Sequence, residues 1–364
     1  MSGGVRHLYV HLPFCAHRCG YCDFVTVGGR SGDHGAYVDA LLAELELERG
    51  VLAPRVETLF LGGGTPTLTE PAALARLLDA LPQAAELTVE ANPETVTRDL
   101  AALLRASGVN RVSLGAQSFQ PELLAVLERR ARPDTVRRAF GLLRNAGFDN
   151  LSLDLLYGIP GQTETMLQRD LVQALELEPE HLSLYELEAK PGTRFTHAHG
   201  GELARQAEAM EGYFERVVET VVAAGYRWYE TSNFARPGRE ARHNLGYWLG
   251  RDYLGIGIGA VSTVRGTRWR NTPRLGRYVA ALRRRERPER ETEPLGADVA
   301  LRERLILGLR LDEPLPLDEV RDAVDRDALG RLERLGLLSR KGDELVLTER
   351  GRFLGGAVSA ELIA

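Results

Sequence analysis

The sequence predicts an α/β fold: a partial (β/α)6 barrel of the TIM type with a small C-terminal domain of winged-helix plan. Three observations carry that prediction. Six short apolar, β-branched runs alternate with longer amphipathic stretches over the first two thirds of the chain, the pattern of parallel strands joined by right-handed helical crossovers. The carboxyl ends of these runs carry polar and glycine clusters, the place where barrel enzymes build their sites. Beyond about residue 298 the pattern shortens to three helical stretches and a strand at Glu344–Thr348.

In chain order the expected strands are His7–Pro13, Val56–Gly62, Glu86–Glu90, Arg111–Gln117, Asn150–Leu155 and His181–Leu187. Between them, apolar residues recur at spacings of three and four over Tyr37–Glu48, Pro71–Leu81, Arg98–Ala106, Thr135–Ala146 and Glu164–Leu175, which predicts helices. A long helix over Glu202–Ala224 follows, preceded by a solvated loop holding His197 and His199. Next come a strand at Tyr226–Thr231 and glycine-rich strands around Tyr253–Arg270. The charge-dense run Arg283–Pro294 reads as a linker or an exposed helix end. The expected units are a barrel over residues 1–200, an extension over 201–285 and the winged domain over 286–364.

Composition narrows the function classes. The 364 residues are 44% hydrophobic and 27% charged with a net charge of −5, which excludes disordered, collagen-like and coiled-coil chains. No apolar run reaches the roughly 18 residues of a membrane helix, and the N-terminus lacks a signal-peptide core. A cytoplasmic location is therefore expected, with peripheral contact at the inner face of the cytoplasmic membrane and a homodimer both left open. The mild acidity argues against nucleic-acid binding, which draws on a basic field.

All three cysteines fall within eight residues: Cys15, Cys19 and Cys22, in the segment HLPFCAHRCGYCDF after the first strand. An odd number of thiols cannot pair fully within the chain, so they read as ligands or reactive groups in a reducing compartment. Three soft thiolates on an irregular loop suit iron or zinc. A closed zinc site needs four ligands, and His17 could be the fourth. Three ligands on a four-iron cubane would instead leave one iron open to an exogenous ligand. Four polar clusters stand at the neighbouring strand ends: Gly62-Gly63-Gly64-Thr65-Pro66, Glu90-Ala91-Asn92-Pro93, Gly115-Ala116-Gln117-Ser118-Phe119 and Asp154 through Gly161. Consecutive glycines allow a backbone to approach a ligand closely.

C-x3-C-x2-C after a first strand resembles the signature of the radical S-adenosylmethionine (SAM) superfamily. That resemblance implies a 4Fe–4S cluster on Cys15, Cys19 and Cys22, with SAM chelating the open iron and a cluster electron cleaving its sulfonium. The further series LGGGTPT, VEANPE, SLGAQSF, DLLYGIPGQT, HLSLYELEAKPGTRF and YETSNFARPG…HNLGYW, with a C-terminal region that also matches, is similar to the oxygen-independent coproporphyrinogen III dehydrogenase group. Within it the chain is similar to the branch of heme chaperones. The resemblance implies SAM contacts at Tyr9, Tyr21, Gly63, Gly64, Thr65, Glu90, Gln117, Arg129, Asp154 and Val261. The run Glu128-Arg129-Arg130-Ala131-Arg132 departs from the group's Gly-Arg-x-His, so Arg129 and Arg130 are both candidates. Val261 follows Gly255-Ile256-Gly257-Ile258-Gly259-Ala260, whose glycines could let a flat ring lie against the strand.

Two departures separate chaperones from dehydrogenases. The dehydrogenases carry a further cysteine two residues after the third cluster cysteine, where this chain has Phe24. They also carry an N-terminal extension before the first strand, and this chain starts only a few residues ahead of it. In His243-Asn244-Leu245-Gly246-Tyr247-Trp248, an imidazole beside two large rings suits heme, with His243, Tyr247 and Trp248 as contacts. The plainer alternative makes the rings core aromatics and His243 a rim residue. The expected function is a heme chaperone serving an acceptor hemoprotein of the respiratory chain; the electron donor and the fate of SAM are left open. The competing readings are oxidative decarboxylation of coproporphyrinogen III and a zinc-stabilised regulatory module.

Overall fold

The computed structural model describes residues 3–29, 31–191 and 193–363. One 12-stranded sheet organises most of the chain. Its centre is six parallel strands in sequential order: β1 (His7–Leu12), β2 (Val56–Gly63), β3 (Ala84–Ala91), β4 (Arg111–Gln117), β5 (Leu151–Tyr157) and β6 (His181–Glu186). The antiparallel pair β7 (Arg227–Glu230) and β8 (Asn233–Ala235) extends the sheet beyond β6. On the other flank β9 (Tyr253–Ile256) pairs parallel with β1, and β10 (Val261–Val264), β11 (Thr267–Asn271) and β12 (Arg290–Pro294) follow antiparallel. The flanking strands β12 and β7 are the two ends of the sheet, so the barrel is an open, partial one.

Alternation along the strands sorts side chains onto two faces. Leu8, Val10, Leu59, Leu61, Leu87, Val89, Val112, Leu114, Leu153 and Leu182 are all buried in one apolar core beneath the crossover helices. The residues alternating with them are mostly polar, with Phe60 an exception, and several meet across the inner face: Ser113 with Asp154, Ser152 with His181 and Ser183, and His7 with Thr58. The crossover helices are α1 (His34–Glu48), α2 (Pro71–Ala80), α3 (Arg98–Ala106), α4 (Pro121–Val126) with α5 (Pro133–Asn145), and α6 (Glu164–Leu175). Thr97 and Thr163 cap α3 and α6 by accepting from the N–H groups of Leu100 and Met166.

Two expectations fail here and a third holds in part. The helix expected over Glu202–Ala224 is two, α7 (Arg194–Gln206) and α8 (Met210–Ala223), divided by a tight turn at Ala207–Ala209. His197 and His199 lie on α7, whose start Thr193 caps, rather than on a loop. The run read as a linker or an exposed helix end, Arg283–Pro294, does end the helix Leu275–Arg283, but it then supplies β12, a strand of the main sheet. Its alternating charges are what an exposed edge strand carries against association.

The short helix α9 (Arg242–Trp248) packs under the barrel, with Glu86 accepting the N–H groups of Arg242 and His243. A second core of its own, including Leu305, Leu329, Leu345 and Leu362, forms around α10 (Ala297–Gly308), α11 (Arg326–Arg334), α12 (Gly355–Leu362) and a three-stranded sheet with its hairpin at Leu338–Lys341 and Glu344–Leu347. This unit is fastened to the barrel by Arg227 on Asp312, two contacts of 2.7 Å each, and by Arg352, which lies 3.7 Å from the Trp228 ring centroid and donates to the Trp228 carbonyl. Among the described residues no helix is long and apolar enough to cross a membrane.

Candidate functional site

The cysteine loop hangs from the end of β1. Phe14–Cys15 pairs with Val27–Gly28, which closes the loop, and the Val27 N–H donates to the Pro13 carbonyl at 2.8 Å. The three thiols are half-buried and unpaired. Burial raises the Cys15 and Cys19 thiols above their ordinary value, opposed by Thr65 at the first and Arg129 at the second. His17 Nε2 lies 2.6 Å from the Glu128 carbonyl and 3.8 Å from Cys19 Sγ, so this ring nitrogen is engaged with the Glu128 backbone beside the thiol.

A connected set of side chains surrounds the thiols. Cys15 Sγ lies 3.7 Å from Thr65 Oγ1; the Asn92 amide donates to that hydroxyl at 2.8 Å; Arg129 donates to Asn92 Oδ1 at 2.7 Å and to the Gly115 carbonyl at 3.0 Å. Arg129 also neighbours Cys19 and Tyr21, whereas Arg130 is exposed. Geometry thus brings Arg129 to the thiols. Its Nε is buried without a partner, a donor left over for an anionic group. Tyr21 packs edge-on to Phe195, with centroids 6.1 Å apart.

The fit to a cluster and SAM rests on that donor set. Among the described residues no three His, Cys, Asp or Glu side chains gather round one point as the ligands of a single ion. A cubane asks for something different, one thiolate for each of three irons, on a loop with an open side. A neighbouring buried carboxylate and a buried guanidinium with a spare donor complement the amino and carboxylate groups of SAM.

Glu90 ends β3 beside the glycines. Burial and the nearby Asp154 push its carboxyl up to about 7, while the Gly63 N–H, donating at 3.1 Å, opposes them. Asp154 is raised by burial and held by the Ser113 hydroxyl, 2.9 and 3.0 Å from its two oxygens. Gln117 stands at a break in the β4–β5 register with φ 65°, turning its side chain toward Gly115. The glycines act differently from expectation. The N–H groups of Gly63, Gly64 and Thr65 are taken by Glu90, Leu12 and Phe14. A Cβ on Gly63 (φ 114°) would stand 2.5 Å from the His11 ring, and one on Gly64 2.5 Å from the Pro13 carbonyl. Close packing of the cysteine loop therefore requires them. Gly257 (φ 106°) and Gly259 (φ 62°) likewise make room for Tyr37, His11 and Val25, and Gly259 also lines the cavity beside β1.

A cavity of about 240 Å3 opens beside β1, lined by Tyr9, Phe24, Tyr247, Tyr253, Val261 and Arg270 among others. It gathers two residues expected at SAM, Tyr9 and Val261, with one expected at heme, Tyr247. The other two heme candidates are not there. His243 is 1% exposed, with Nδ1 2.8 Å from Thr58 Oγ1, Nε2 2.9 Å from the Tyr247 hydroxyl, and its ring stacked on Phe60. Burial holds its ring down to about 3, so it stays neutral. Both of its nitrogens are bonded within the protein, and through one of them His243 holds the Tyr247 hydroxyl. Trp248 carries the Arg310 guanidinium 4.3 Å over its ring, at the boundary with the C-terminal unit.

Sequence reasoning missed Asn92, His11, Tyr253 and Arg270. Asn92 stood in plain view in VEANPE. Arg270 had a fainter signal: it lies directly opposite Val261 in the β10–β11 hairpin.

Cysteine loop, glycine turn and buried carboxylate at the mouth of a partial barrel define a radical SAM protein. The Radical SAM superfamily model matches residues 9–173, and the HemN C-terminal domain model matches 295–354. Heme chaperone HemW of Mycobacterium tuberculosis is 41% identical over 377 residues, covering 100% of this chain and 96% of that protein. Heme chaperone HemW of Bacillus subtilis is 33% identical over 97% of this chain and 98% of its own. Coproporphyrinogen III oxidase (HemN) from Escherichia coli, a radical SAM enzyme, superposes with a TM-score of 0.83 at 24% identity, over 99% of this chain and 90% of that one. The chain belongs to the HemW family. Membership in the radical SAM superfamily implies a 4Fe–4S cluster and SAM.

Proposed function

We propose that the protein is a heme chaperone, which binds heme next to a SAM-liganded 4Fe–4S cluster and passes it to a respiratory hemoprotein. The supporting observation is the cavity that joins Tyr247, from the HNLGYW segment, to Tyr9 and Val261. The HemW relatives carry the chaperone function in their names.

In this reading Cys15, Cys19 and Cys22 hold the cluster, which when bound supplies an electron at a site where SAM can be reduced. The chain's own residues do the rest. Glu90 accepts from the SAM amino group, and Arg129 offers its spare donor to the carboxylate. Thr65 and Asn92 hold Arg129 in place from the Cys15 side. Tyr247 presents its ring to heme because His243 takes its hydroxyl. Phe24, 66% exposed, adds an apolar edge beside the last cysteine where the dehydrogenases have a further thiol.

The test is a pair of anaerobic assays on reconstituted protein. Heme-loaded protein transfers heme to an apo-hemoprotein, and protein given coproporphyrinogen III, SAM and a reductant releases no carbon dioxide. Turnover to protoporphyrinogen, or no transfer of heme, would overturn the proposal.

A further inference from the structure

Tyr9, Phe24, Tyr247 and Tyr253 give the cavity beside β1 an aromatic lining. Two of the rings are held by histidines: the Tyr9 hydroxyl lies 3.0 Å from Nδ1 of His11, which also lines the cavity, and the Tyr247 hydroxyl 2.9 Å from the buried His243 Nε2. Tyr253 stands edge-on to Tyr247, centroids 4.6 Å apart. With both hydroxyls already bonded, these rings offer chiefly carbon to a ligand, a surface for a flat unsaturated one.

Arg270 stands at the rim of the same cavity. Its neighbours on the flank are paired: Arg268 forms a bidentate contact with Glu303 at 2.8 and 2.7 Å, and Arg290 reaches Glu44 and Glu48. Among the described residues Arg270 has no such partner, and Asp23, the other charged residue of the lining, forms no ion pair with it. Its charge is felt at His11, whose ring burial holds down to about 4, with Arg270 adding to the effect. An unpaired guanidinium over an aromatic wall is a receptor for a carboxylate, which it takes as a planar two-point contact.

We propose that Arg270 anchors a propionate of a tetrapyrrole whose ring edge lies against Tyr247 and Phe24. This rests on the heme-chaperone reading and goes further by naming the carboxylate as a specificity element. The volume, about 240 Å3, falls below the range of roughly 300–1,000 Å3 that encloses a drug-sized ligand, so the cavity takes one edge of the macrocycle and leaves the rest outside. An outer, incompletely enclosed ring is also what a carrier requires in order to release its cargo. The carboxylate of SAM offers the same chemistry, and the experiment separates the two sources.

Anaerobically reconstituted full-length protein is titrated with heme and with heme dimethyl ester, followed by optical absorption, and SAM binding is measured separately by equilibrium dialysis. The wild type binds heme about tenfold more tightly than the diester, the worth of one exposed charge-assisted contact. Arg270→Gln binds the two equally, Arg270→Lys keeps part of the preference, and all three proteins bind SAM alike. Equal affinity of the wild type for heme and diester, or a preference that survives Arg270→Gln, overturns the proposal. A loss of SAM affinity in Arg270→Gln reassigns the residue to SAM and overturns it as well. Absence of heme binding by the wild type removes the chaperone reading itself, a failure distinct from heme and diester binding alike.

Discussion

At the scale of single residues, the site works by placing ionisable groups where burial decides their state. Glu90, with its carboxyl near 7, is half ionised at neutral pH. Receiving the amino group of SAM requires the ionised form, so affinity for SAM rises about tenfold between pH 6 and pH 8. Calorimetry on the reconstituted protein measures this, and Glu90→Gln binds weakly with no such pH dependence. The same shift costs the unliganded fold stability as pH rises from about 4.5 toward 7, because the folded state resists ionisation in the window where the unfolded chain already ionises. His243 shows the opposite use of burial. It is held neutral and bonded at both nitrogens, to Thr58 and to the Tyr247 hydroxyl of the cavity wall. His243→Phe keeps the stacking on Phe60 and leaves Thr58 its bond to His7, but strands the Tyr247 hydroxyl, with an expected loss of about 1–3 kcal/mol in urea unfolding. The visible spectrum of bound heme stays that of the wild type; a changed ligand-field spectrum would return His243 to the iron.

At the scale of elements, legibility followed distance along the chain. Local signals placed β4, α3 and α6 at their observed bounds, because alternation and threonine caps act within a few residues. The cysteine spacing and the polar strand ends were legible for the same reason. The break between α7 and α8 was not, since Gln206-Ala207-Glu208-Ala209 are all good helix formers and only packing interrupts them. The role of His243 was hidden because its partner Thr58 lies 185 residues away. β12 was hidden because an edge strand with little burial has the composition of a linker. What anchors it is again non-local: Arg290 reaches the buried Glu44 and Glu48 of α1, while Glu44 accepts from the Gly257 N–H and Tyr278. This network ties α1 to the turn that precedes Val261. Arg290→Met leaves the buried Glu44 without its cation, while Glu48 keeps Arg287, and costs about 3 kcal/mol in chemical denaturation. An unchanged midpoint would show that the network carries no stability.

At the scale of the molecule, the fold is an open barrel whose inner face is polar, with an aromatic cavity on the β1 side. A separately cored C-terminal unit is docked through Arg227, Trp228 and Arg352. Cysteine loop and cavity share strand β1, with Phe24 and Val25 of the loop's far end lining the cavity itself. Cluster, SAM and heme are thereby read as neighbours rather than separate sites. The most direct test is an anaerobic heme titration of the reconstituted protein in the presence of SAM, wild type beside Tyr247→Ala. Saturable binding near one heme per chain, weakened about tenfold by Tyr247→Ala, is the expected result. Absence of saturable binding by the wild type, or equal affinity in the two proteins, would contradict it.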